Sequence, residues 1–62
     1  MFRVYNDLAP YNENAMNVLK ENPSDPNAQM VVFYYDKACR AARFNRKQEF
    51  ESFRQLVIGK SA

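Results

Sequence analysis

The chain is expected to fold as an all-α domain of three helices. Apolar residues recur at helical spacing in three separate segments. Each segment is preceded by a residue able to cap a helix, and proline or glycine stands near the breaks. The expected elements lie near 11–21, 26–43 and 46–58, within a single small domain covering 1–62. The alternative is an α+β arrangement with a hairpin at 29–44 between two helices.

A short β-like piece, "FRVY" at 2–5, precedes the first helical segment. In that segment Tyr11, Ala15, Val18 and Leu19 share one face. Asn12 is the expected cap, since its side-chain oxygen suits an orphan N–H of the first turn. Lys20 complements the negative end of the helix dipole, and Pro23 disfavours helical geometry at Asn22.

The second segment has a clear start. Asp25 is a capping residue and Pro26 fits the first helical position, where its missing N–H costs nothing. Val31, Tyr34, Tyr35, Ala38, Cys39 and Ala42 then form a helical stripe. Against this, the run "MVVFYY" at 30–35 has the character of a buried strand, which is what sustains the hairpin alternative. A hairpin would turn at Asp36-Lys37, a pair without the glycine or asparagine that tight turns prefer. In the third segment Asn45 is the expected cap, Phe50, Phe53, Leu56 and Val57 the apolar stripe, and Gly59 the expected stop.

Composition narrows the function classes. At 47% apolar and 15% aromatic, the chain has the profile of a globular protein. One cysteine permits no internal disulfide, and without histidine one thiol builds no zinc site. Cys39, between alanines, reads as a small buried hydrophobe. Histidine-based acid–base pairs and Ser-His or Cys-His nucleophiles are excluded. Glu49 and Glu51 would point to different sides of a helix. The terminal "GKSA" lacks the second glycine of a phosphate loop, arginine standing at position 54. The expectation is therefore a non-enzymatic protein without a cofactor or metal. The longest apolar run is far too short for a bilayer, and the first ten residues lack the core of a signal peptide. A lone cysteine fits a reducing compartment, so a cytoplasmic location is expected.

Charge divides unevenly. Residues 1–36 carry two basic and five acidic side chains, net −3; residues 37–62 carry seven and two, net +5. Either the acidic part of the fold lies against the basic part, or the basic part meets an anionic partner. The stretch "KACRAARFNRK" at 37–47 holds Lys37, Arg40, Arg43, Arg46 and Lys47 and no acid. On a helix the first three form one stripe, suited to phosphate contacts. A helix-turn-helix reading would place the segment after Asn45 in a major groove, although the turn at Phe44-Asn45 is short and lacks glycine. A solvated polar face is the commoner role of such a stretch.

The apolar run raises a second point. Six consecutive apolar residues sweep past a full helical turn, and two neighbouring helices cannot cover every side. Val32 and Phe33 are expected to lie away from the core stripe, flanked by Lys37 and Arg40. An apolar patch rimmed by charge marks an interface. The first functional expectation is a small regulatory or accessory protein, of inhibitor or adaptor type. It would bind another protein, with an acidic surface, or a second copy of itself, through Val32, Phe33, Lys37 and Arg40. The alternative is a nucleic-acid-binding module using Lys37, Arg40, Arg43, Arg46 and Lys47.

Overall fold

The computed structural model describes residues 7–61; the β-like piece at 2–5 lies outside them. Three helices follow in order, α1 (Ala9–Glu21), α2 (Pro26–Arg43) and α3 (Lys47–Ser61), with no strand among the described residues. No helix among these residues is long and apolar enough to cross a membrane.

α1 starts two residues earlier than its apolar stripe suggests. Pro10 sits in its first turn, where backbone N–H groups have no intrahelical partner to lose. The N-cap is Leu8, which offers no side-chain oxygen. Asn12 is not the cap; it is a first-turn residue whose N–H donates to the Leu8 carbonyl at 3.2 Å. Burial decides between the two registers. Leu8 is fully buried, which stabilises by about 1.5–3 kcal/mol, whereas an asparagine cap contributes only about 1 kcal/mol. The Asn12 amide donates to the Met16 sulfur at 3.6 Å, and its buried Oδ1 has no hydrogen-bond partner among the described residues.

α2 begins as its sequence dictates. The Asp25 carboxylate accepts the Ala28 N–H at 3.0 Å, and Pro26 occupies the first helical position. The Gln29 side chain donates to the Pro23 carbonyl at 2.8 Å, tying the loop to the new helix. Residues 29–35 are helical, which overturns the hairpin alternative at 29–44. The cap starts the helix, nothing at Asp36-Lys37 turns the chain, and only a helix puts Val31, Ala38 and Ala42 together in the core.

The end of α2 corrects two expectations. Asn45 does not cap α3; it adopts φ 56°, the left-handed conformation that asparagine tolerates better than most residues. Its N–H donates to the Ala42 carbonyl at 3.2 Å, and the Arg46 N–H reaches back to the Ala41 carbonyl at 2.9 Å. This pair of bonds is a Schellman ending of α2. The Arg46 carbonyl then accepts the Phe50 N–H at 2.9 Å, opening α3. At the other end Gly59 does not stop α3, which continues to Ser61. Gly59 has no positive φ, and the Ser61 hydroxyl donates to the Val57 carbonyl at 2.8 Å.

α2 and α3 form an antiparallel pair. The turn at 44–46 joins them at one end. Tyr34 stacks on Phe53 along their length, with centroids 6.1 Å apart. At the far end Ala28 and Val31 share a cleft with Lys60 and Ser61. The overall extents of 34 × 16 × 15 Å fit helices that run alongside one another. α1 packs mainly on α2 and only lightly on α3. The core consists of Leu8, Val31, Phe50, Val57 and the alanines at 15, 28, 38, 41 and 42. Leu56 and Val18, both placed on apolar stripes by sequence, are exposed at the margins.

Three substitutions test this packing. Ala38→Leu, at a fully buried site, should overpack the core and cost about 1–3 kcal/mol. Asn45→Val should cost about 1–2 kcal/mol, because a β-branched residue is strained at positive φ. Gly59→Ala should add up to about 0.5–1 kcal/mol, since a Cβ there meets nothing within 4 Å. Urea midpoints at unchanged slope report all three.

Candidate functional site

The outer side of α2 carries Phe33, Lys37, Arg40 and Phe44, spaced i, i+4, i+7 and i+11. On an ideal helix these four fall within about 60° of one another. Phe33 is 53% exposed and Phe44 71%. Met30, one turn before Phe33, and Leu56, one turn beyond Phe53 on α3, are exposed as well.

The two phenylalanines are not isolated. The Lys37 ammonium lies 5.2 Å from the centre of the Phe33 ring. Phe33 meets Tyr34 edge to face at 5.4 Å, and Tyr34 in turn stacks on Phe53. Phe44 has the Arg46 guanidinium 6.0 Å from its ring. Such cation–π and aromatic pairs contribute about 0.5–1.5 kcal/mol each, enough to hold the exposed rings in defined places. Beside Phe44 lies an open groove of about 420 Å³, lined by Phe44, Ala41 and Phe53 and edged by Lys37, Arg40, Arg46 and Glu49. It is lined by α2, the turn and α3, and by no residue of α1.

Sequence reasoning paired Val32 with Phe33, and the structure separates them. Val32 is half-buried against the core while Phe33 faces solvent. Adjacent helical residues point about 100° apart, so one of the pair had to turn toward the packed side. Sequence reasoning also missed Phe44. The signal was present, since a residue eleven positions after Phe33 lies only about 20° from it around the helix.

Of the five basic residues, Lys37, Arg40 and Arg46 edge this groove. Arg40 pairs with Asp36 at 3.2 Å and Arg46 with Glu49 at 3.6 Å. Arg43 is exposed in the last turn of α2. Lys47 lines a separate shallow depression with Asn45 and Gln48 at the start of α3. The helix-turn-helix geometry, with helices crossing at about 90–120°, is not what α2 and α3 adopt, because Tyr34 and Phe53 hold them alongside each other. Cys39 is half-buried with a free thiol, and no cluster of potential metal ligands occurs among the described residues.

Compared with protein families, curated proteins and solved structures, the chain matches none. The functional argument therefore rests on this geometry.

Phe44→Ser, which removes an exposed ring and its contact with Arg46, should cost about 1 kcal/mol or less. Phe50→Ala, at a buried position, should cost about 3–5 kcal/mol. Thermal melts followed by circular dichroism separate the two cases.

Proposed function

We propose that this is a small non-enzymatic protein of inhibitor or adaptor type, which acts by holding another protein against the outer side of α2. The observation that carries the reading is the pair of exposed phenylalanines, Phe33 and Phe44, on one stripe with Lys37 and Arg40. Solvated faces rarely gather large aromatics with cations seated on their rings. Apolar patches rimmed by charge are the usual makeup of protein interfaces. Aromatic and arginine side chains are also the types that dominate binding energy there. The cations favour a partner with an acidic surface and would speed encounter with it.

A second copy of the chain fits less well. It would bring Lys37, Arg40 and Arg43 of one molecule toward the same cations of the other, and like charges across an interface cost several kcal/mol. Phosphate binding through Lys37, Arg40, Arg43, Arg46 and Lys47 draws on part of the same surface. It must accommodate Asp36 and Glu49, which already engage two of the guanidinium groups, and it leaves Phe33 and Phe44 without a role.

A photo-crosslinking amino acid at position 44, compared with one at the exposed Asn17 of α1, tests the reading in the cells the protein comes from. Discrete protein adducts from position 44 that are absent from position 17 are expected. Adducts to nucleic acid alone would favour the phosphate reading, and no adduct specific to position 44 would remove the proposal.

A further inference from the structure

Resting on the protein-binding reading, we infer that the element recognised is an acidic amphipathic α-helix, lying in the groove between α2 and α3. Three observations support this. Along one side of α2 and into its C-cap, positions 30, 33, 40 and 44 are exposed and 37 is half-buried, and the five are spaced three, four, three and four. That is the spacing of a seam that packs against another helix along its length. On the facing edge, Glu49, Phe53 and Leu56 of α3 keep a four-three spacing. A third helix laid along this pair would meet two ridges, as a helix does inside a four-helix bundle, in a groove that no residue of α1 lines.

Charge sets the chemistry of the occupant. Lys37, Arg40 and Arg46 edge the groove with Glu49. Arg40 and Arg46 are paired with Asp36 and Glu49, which leaves the edge cationic by one charge, with Lys37 the cation that has no carboxylate partner among the described residues. Along α2 the exposed apolar side chains flanking these cations are Met30 and Phe33 toward one end, beyond the groove, and Phe44, beside Arg46, at the other. Phe33 and Phe44 are eleven residues apart, about 16 Å along the helix axis. The matching ligand is a helix of three to four turns with apolar residues near both ends and Asp or Glu between them. Strand addition needs an open sheet edge, and no strand exists among the described residues.

The experiment is a selection of displayed random 16-residue peptides on the purified full chain. Enriched sequences are expected to carry apolar residues at i, i+3 or i+4, and i+7, with Asp or Glu between. A proline placed mid-peptide should abolish binding. Affinity measured by fluorescence anisotropy should fall at least about tenfold for Phe44→Ala. The Lys37→Glu, Arg40→Glu double variant should lose the acidic peptides and prefer versions in which lysine replaces the acids. Phe44 and Arg40 are exposed and Lys37 is half-buried, none of them in the core, so these variants are expected to fold, and circular dichroism checks that they do. Peptides that need Phe33 and Phe44 but are extended, proline-rich or basic would overturn the helix inference and leave the protein-binding reading standing. Selected peptides indifferent to Phe44, or a dimer by sedimentation that Phe44→Ala dissolves, would overturn the inference too. Failure of the binding reading itself appears separately, as the absence of specific adducts from position 44.

Discussion

The close packing of α2 against its neighbours through alanine is the constraint on which the rest of the structure depends. Five of the nine buried core residues are alanines, and four of them, Ala28, Ala38, Ala41 and Ala42, belong to α2. Small side chains let helix axes approach closely, but they leave little room between them for large rings. The consequence is visible across the molecule. Of the seven aromatic residues among the described positions, only Phe50 is buried in the core. Tyr11, Tyr34, Tyr35 and Phe53 are pressed to the flanks of the seams, and Phe33 and Phe44 lie outside them. The exposed aromatic face is thus the complement of an alanine core, and both follow from how α2 distributes its residues around its axis.

Electrostatics does little for stability here and more for the character of the surface. The three ion pairs described, Asp36–Arg40, Arg46–Glu49 and Glu51–Arg54, are local pairs three or four residues apart. Exposed pairs of this kind contribute about 0.3–0.5 kcal/mol. None of them joins the acidic residues of α1 to the basic second half of the chain. The pairs do position guanidinium groups: Arg46 is held between Glu49 and the Phe44 ring, and Arg40 leans toward Asp36. The charge imbalance of the second half is therefore left at the surface, concentrated beside the aromatic stripe.

Much of this was legible in the residues. Asp25 followed by Pro26 announced the start of α2, and the helical spacing of Val31, Ala38 and Ala42 carried it through the strand-like run at 30–35. What misled was local chemistry judged without its neighbours. Asn12 is a good cap, but burying Leu8 outweighs it. Asn45 precedes a helix, but its tolerance of positive φ is spent on ending the helix before it. Gly59 stops helices when a left-handed residue is needed, and none is needed there. At the candidate site, the sweep of the apolar run around a helix put Val32, Phe33, Lys37 and Arg40 in one patch; Phe33 and Arg40 are exposed, while Val32 and Lys37 are half-buried. Phe44 was hidden because it was taken for turn, and its alignment with Phe33 becomes visible only once the Schellman bonds carry α2 to its end at Arg43.

The same constraint bears on what this face means for stability. A domain of this size has a stability of about 3–9 kcal/mol by the usual scaling, and a core made mostly of alanine puts little hydrophobic area into each contact. Moving Phe33 and Phe44 into the interior would require replacing alanines and separating the helices, and would lose the fit at Ala38 and Ala42. Replacing them with polar residues would leave the core untouched, because they are not part of it. Folding therefore does not require these two rings where they stand. A ligand bound there at a hundred times its dissociation constant would add about 2.7 kcal/mol to the folded state, a large fraction of the total. Under the proposed function, a partner held on the outer side of α2 would supply stabilisation that its alanine-lined inner side cannot provide.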